Sequence, residues 1–137
     1  METRIIVSAI IEDGNGRFLF GRKPPNIGPY PNTWHLIGGG LNHTSESAEE
    51  ELKREIREEA GIEVDIIEKM GFDEDIESNK YGIPTHYIFL VYRVRFKSGI
   101  PTSSDDIQQL AWFSIADLST IELPRPSKKL FTLLGYL

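Results

Sequence analysis

Residues 47–62, SAEEELKREIREEAGI, constrain the fold more than any other stretch of this chain. At about 100° per residue, Ala48, Leu52, Ile56 and Ala60 drift slowly across one face and predict a helix with a buried stripe. Residues 43–47 offer several N-caps, Ser47 and Glu50 form a candidate capping box, and Gly61 stands where a glycine ends a helix. Beside the apolar stripe, Glu51, Glu55, Glu58 and Glu59 fall within an arc of roughly 100°. Like charges four residues apart repel by a few tenths of a kcal/mol, and Glu55 lies four residues from both Glu51 and Glu59. Arg54 lies near Glu58 while Lys53 and Arg57 point away, so the helix's own cations do not neutralise the whole cluster. Taken alone, a charge run on a helix is most often a solvated face. The alternative is a divalent cation, because carboxylates are hard oxygen ligands suited to Mg²⁺ or Mn²⁺.

The flanking sequence supplies a sheet. Ile5–Ile11 and Arg17–Arg22 read as strands joined by the glycines of EDGNGR. KPPNIGPYPN, residues 23–32, is excluded from regular structure by its prolines. Trp34–Ile37 reads as one short strand running into Gly38, Gly39 and Gly40, glycines that permit close approach to a ligand or a positive φ. Val64–Phe72, Pro84–Phe96 and Ala111–Ser114 are further strands, and the second is apolar on both faces, as a central strand is. A closing helix is expected to start near Pro126. Interspersed strands and helices imply an α/β (α+β) chain with helices packed on a mixed sheet. At 137 residues the expectation is a single domain, 1–137, with a real core.

Charge and composition narrow the function. A net charge of −6 argues against a non-specific nucleic-acid binder, yet leaves room for small phosphorylated ligands whose charge a metal offsets. The absence of cysteine rules out disulfides and thiolate metal sites and suits a cytoplasmic location. METRIIVSAII is too short for a membrane span and lacks the flanks of a signal peptide.

From Gly40 the spacing is Gly40, Glu46, Arg54-Glu55-Ile56, Glu58-Glu59 and Gly61-Ile62. This resembles the complete signature of the Nudix hydrolases (the MutT family), G-x5-E-x7-R-E-U-x-E-E-x-G-U with U aliphatic. Its nine constrained positions match without a gap, which chance supplies on the order of once in 10⁹ starting points. The resemblance implies a Nudix fold, an α/β/α sandwich around a mixed sheet with the signature as loop–helix–loop. It implies a hydrolase of phosphoanhydrides in nucleoside diphosphate derivatives, using Mg²⁺. Glu55, Glu58 and Glu59 become metal ligands and catalytic residues by match to the motif, with the Gly39 carbonyl as a further ligand. Gly40, Glu46, Arg54 and Gly61 become supporting residues.

YPNTWHLIGGG (30–40), FDEDIESNKYG (72–82), DDIQQLAWF (105–113) and KKLFTLLGYL (128–137) are most similar to the branch hydrolysing nucleoside triphosphates, particularly pyrimidine deoxynucleotides. The implied partner is a small nucleotide, split to monophosphate and pyrophosphate by a monomer or homodimer without nucleic acid or membrane. ADP-ribose, another nucleoside diphosphate sugar or an oxidised purine triphosphate are alternative substrates, and a non-catalytic sensor is an alternative of another class. That branch tends to carry glutamates where this chain has Asp105 and Asp106. Glu55 is the first candidate for the base. Asp106, in a segment able to close over substrate, is the second. Arg22 is either a phosphate or base contact or a surface arginine. Trp34 either stacks on a base or belongs to the core. His35, His43 and His86 have no metal-like spacing and receive no catalytic role, Tyr81 reads as turn packing, and Tyr87, Phe89, Tyr92 and Phe96 read as core.

Overall fold

A computed structural model describes residues 1–41, 46–104 and 106–137. The N-cap candidates at 43–45, His43 among them, and Asp105 lie outside the described residues. Seven strands form one curled mixed sheet: β1 (Glu2–Glu12), β2 (Arg17–Arg22), β3 (Trp34–His35), β4 (Ile37–Gly40), β5 (Glu63–Ser78), β6 (Pro84–Ser98) and β7 (Gln109–Ser114). Helix α1 (Ala48–Ala60) packs on one face; a 3₁₀ turn (Ile115–Thr120) and helix α2 (Arg125–Leu133) lie on the other.

Alternation along the strands builds both cores, since successive side chains point to opposite faces. Val7, Ala9, Ile11 and Leu19 pack with Leu52, Ile56 and Ala60 of α1. Ile10, Phe18, Phe20 and Val91 pack instead with Leu118, Leu123 and Phe131. The result is the expected α/β/α sandwich. Strand β6 is central, parallel to β1 on one side and antiparallel to β5 on the other.

Three expectations about elements are corrected. The segment expected as one strand, Trp34–Ile37, is two, because the chain changes partner at Leu36: Trp34 and His35 pair with β2, whereas Ile37–Gly40 pair with β1. Strand β5 runs six residues beyond Phe72, to Ser78. Its acidic tail pairs with Pro84–Phe89, and Asp73, Asp75 and Glu77 are matched by Lys129 and Arg125 of α2, cations distant in sequence. The 3₁₀ turn was not anticipated; Asp117 caps it, accepting from the Ser114 hydroxyl at 2.9 Å. No helix among the described residues is long and apolar enough to cross a membrane.

Candidate active site

The site begins at the two ends of α1. Ser47 Oγ accepts from the Glu50 backbone N–H at 3.2 Å, the cap that its spacing predicts. At the other end Gly61 takes the left-handed conformation (φ 69°) and donates its N–H to the Arg57 carbonyl. Two terminal carbonyls are satisfied from outside the helix: Thr102 N–H donates to Ala60 O at 2.9 Å and Ser104 N–H to Glu59 O at 3.3 Å. This stitching brings Asp106 into the field of Glu59. Buried Ile107 and a bond from Gln108 N–H to Arg22 O pin the same segment. Asp106, in the segment expected to close over substrate, stands exposed at the edge of the cavity described below.

The four glutamates of the arc have four different environments. Glu51 is fully buried, Glu55 is 15% exposed and Glu58 is 58% exposed, while Glu59 is half-buried. Arg54 reaches further than its helical angle suggests. Its guanidinium meets Glu46 at 2.9 Å, Glu58 at 3.1 Å, Glu51 at 3.3 Å and Glu55 at 3.6 Å. These carboxylates hold the Arg54 pKa above its ordinary value, led by the hydrogen bonds to Glu46 and Glu58. The pair Glu46–Arg54 thus ties the segment before α1 to the helix.

Glu59 has a different cation. Burial first, then the Glu55 charge, push its pKa up to about 8; a Gly38 backbone hydrogen bond and Lys23 pull the other way, and Asp106 adds to the rise. Its Oε2 is shielded and has no hydrogen-bond partner among the described residues. Glu55 is raised as well, mainly by burial. Lys23 donates to the Pro29 carbonyl at 2.7 Å, and burial lowers its pKa to about 8 against the pull of Glu59.

Strand β4 explains how these groups approach one another. A Cβ added at Gly39 would lie 2.6 Å from the Glu55 carboxylate, and one at Gly40 would lie 2.5 Å from an Arg4 guanidinium nitrogen. None of the three glycines has positive φ. They are there for close approach, and what approaches is Glu55, Arg4 and, at Gly38, the backbone of β1.

Glu59, Gly38–Gly40, Asp106 and Lys23 line one side of a cavity of about 300 Å³. Phe89, Tyr87, Asp73, Ser127 and Leu130 line it elsewhere. Tyr87 and Phe89, expected in the core, are packed there, Tyr87 at 2% exposure, and also line the cavity, their rings stacked at 6.0 Å. His35, which has no metal-like spacing in the sequence, is also a wall residue. Burial lowers its pKa to about 4, so the ring is neutral; Nδ1 lies 2.8 Å from Leu36 O, and Nε2 has no partner among the described residues. Two candidates stand open in the sequence between a ligand contact and a structural place. Trp34 and Arg22 do not line the cavity: Trp34 is 8% exposed and packs edge-on against Phe113, with the Arg22 guanidinium over its ring. The β2–β3 pairing sets Arg22 opposite Trp34, while Lys23, one residue on, lines the cavity instead. Tyr81 is exposed, with Lys80 over its ring.

Among the described residues no three carboxylate or imidazole groups already converge on one point. Glu58 turns outward to Arg54, which leaves Glu55 and Glu59 as the carboxylates beside β4. Two mutually repelling, partly buried carboxyls, one with an unpartnered oxygen, are a donor set that fits a hard divalent cation.

Comparison with known proteins agrees with this architecture. The family model described as NUDIX domain matches residues 2–134. The chain is 32% identical to a protein from Enterobacter sp. (strain 638) named nucleoside triphosphatase NudI, covering all of both chains. It is 30% identical to the protein of the same name from Escherichia fergusonii, again over the full length of both. Among solved structures it is similar to the MutT protein of Methanosarcina mazei Go1 (TM-score 0.83, 25% identity, 98% of this chain and 94% of that one). It is also similar to a MutT NUDIX hydrolase from Burkholderia pseudomallei (TM-score 0.80, 26% identity, 96% and 98% covered). With the signature seated on α1, its glutamates drawn against a glycine strand, and the match running nearly end to end, this chain belongs to the Nudix hydrolase family.

Proposed function

We propose that this protein is a Mg²⁺-dependent pyrophosphohydrolase of free nucleoside triphosphates, acting as one cytoplasmic domain and releasing the monophosphate and pyrophosphate. The observation carrying this reading is Glu59, raised by burial and by Glu55, lining an aromatic-walled cavity with a buried oxygen that has no partner among the described residues. The names of the relatives support the triphosphate as substrate.

Glu55, Glu58 and Glu59 would hold the cation, with the Gly39 carbonyl as a further ligand, and Mn²⁺ would substitute for Mg²⁺. When bound, the ion neutralises phosphate charge and lowers the pKa of water. Lys23 and Arg4, both in the cavity wall, provide positive charge toward the polyphosphate. The water oxygen forms a bond to phosphorus as the bridging phosphoanhydride bond breaks, pyrophosphate departs with its electron pair, and Glu55 takes the water's proton. Arg54, Glu46, Gly40 and Gly61 keep α1 and its preceding segment in place. Glu55 is favoured as base over Asp106 because it is fixed on α1 against Gly39, whereas Asp106 is exposed on the rim.

A pyrophosphate-release screen over ribo- and deoxynucleoside triphosphates, with Mg²⁺ and with excess chelator, tests the reading. Turnover is expected only with metal; full turnover in chelator, or turnover confined to nucleoside diphosphate sugars, defeats it. On the best substrate, Glu55→Gln is expected to lower kcat roughly 10²-fold or more at every pH. Asp106→Asn is expected to alter mainly KM. The reverse pattern, with Asp106→Asn flattening the acidic limb of the pH–rate profile, transfers the base to the loop.

A further inference from the structure

Among the described residues, Asp73 is the one cavity carboxylate outside the signature and the rim that carries an unsatisfied oxygen. Its side chain is 12% exposed and its two oxygens are used unequally. Oδ1 accepts from Lys129 Nζ at 2.7 Å and from the Glu74 backbone N–H at 2.7 Å. Oδ2 is shielded from solvent and has no partner among the described residues. A buried acceptor left unmade is costly. The fold tolerates it here at the wall of a cavity whose neighbouring surface is Phe89 and Leu130.

The strand register places this oxygen relative to the glutamates. Gly40, Ile6, Phe89 and Asp73 are directly paired across β4, β1, β6 and β5. Asp73 therefore lies three interstrand spacings from the glycine strand, roughly 14 Å. A triphosphate anchored beside β4 extends its nucleoside along this row, over the Phe89 ring, with the base arriving last. The substituent on the far edge of the base is at C4 of a pyrimidine, and its counterpart in a purine is at C6. That substituent is an amino group in cytosine and adenine, and an oxygen in uracil, thymine and guanine.

We propose that Asp73 Oδ2 selects the base, accepting a hydrogen bond from an amino group opposite the glycosidic bond and repelling an oxo group there. This inference rests on the nucleotide reading above and adds the base class that the site takes. An amino N–H satisfies the orphaned acceptor as carboxylates satisfy the cytosine amine elsewhere. An oxo group sets two acceptors against each other, and sites built to hydrogen-bond a substrate discriminate strongly on this basis. Lys129 makes the selection directional by occupying Oδ1.

Matched substrates that exchange the amino group for an oxo group, and with it a bare ring nitrogen for an N–H, test it: dCTP with dUTP, and dATP with dITP. Wild type is expected to favour the amino member of each pair in kcat/KM by about tenfold or more. Asp73→Asn keeps an oxygen for Lys129 and turns an amide NH₂ toward the cavity, so the ratio is expected to fall at least about tenfold and to approach inversion. Lys129→Ala leaves the carboxylate in place and is expected to retain the amino preference. Equal kcat/KM for both members in wild type overturns the inference, and this comparison stands even if Asp73→Asn does not fold. A uniform loss on all substrates with an unchanged ratio in Asp73→Asn, or loss of the preference in Lys129→Ala, also overturns it by reducing Asp73 to an anchor for α2. Calorimetric binding of dCMP and dUMP separates this inference from the catalytic reading, since it needs no turnover. Tighter dCMP binding that is lost in Asp73→Asn upholds the base selection even where no triphosphate is cleaved, and equal binding sinks it.

Discussion

The charge of Glu59 is opposed by burial and by Glu55, with Lys23 and the Gly38 N–H in its favour. Its folded pKa of about 8 lies above the ordinary 4.5, so between those values the folded state binds more protons than the unfolded chain. Stability of the metal-free protein is therefore greatest at the acidic end of that window and declines as pH rises through it. The limit from one such group is about 1.4 kcal/mol per pH unit. Glu55, also raised, acts in the same sense, while the lowered Lys23 pKa opposes it only above about pH 8. Urea unfolding in chelator from pH 5 to 8 is expected to show this decline, and Glu59→Gln is expected to flatten it. Equal slopes in wild type and variant mean that Glu59 does not hold a proton in the folded protein.

At the scale of elements, β4 determines how near the signature helix comes to the sheet. Its glycines face different neighbours, and the neighbours set different costs. A methyl at Gly38 collides with the Val7 carbonyl oxygen on the adjacent strand, which cannot move without breaking the β1–β4 ladder. A methyl at Gly39 meets only the end of the Glu55 side chain, which swings aside. Gly38→Ala is expected to destabilise by about 3 kcal/mol or more, at the upper end of overpacking costs. Gly39→Ala is expected to stay within about 1 kcal/mol of wild type while kcat falls roughly 10²-fold, the cost of a displaced catalytic group. Chemical denaturation and steady-state kinetics on the two variants read this crossing. A Gly39→Ala enzyme with unchanged kcat frees Glu55 from any role that depends on its position.

Across the whole molecule, cation binding couples the α1 carboxyls to the stability of the sandwich. A ligand bound only by the folded state stabilises it by about 2.7 kcal/mol at a hundredfold excess over Kd. Mg²⁺ is accordingly expected to raise the melting temperature by several degrees. Near neutral pH it is also expected to release about one proton, because Glu59 must ionise to coordinate. Calorimetry in buffers of different ionisation enthalpy measures that release. Glu59→Gln is expected to lose both effects, and Ca²⁺ to support turnover poorly, being larger and less strict in geometry. Thermal and proton responses identical in Glu59→Gln place the cation elsewhere.

Local sequence determined the parts whose causes are local. Ser47, the Leu52–Ile56–Ala60 stripe and Gly61 fix α1 through capping and periodicity, and the signature spacing on that helix identified the family. Strand β6 was legible as central because it is apolar on both faces. The remainder depends on contacts between distant residues. That Arg54 serves four glutamates, that Lys23 rather than Arg22 faces the cavity, and that Trp34 belongs to the core follow from packing and strand register. The acidic end of β5 resembles a loop in sequence because its neutralising cations, Arg125 and Lys129, lie some fifty residues away, on α2. Asp73 shows the same limit most plainly. Its neighbours in sequence mark it as one more acidic residue, and only the assembled sheet sets it in a cavity wall with one oxygen that no described residue completes.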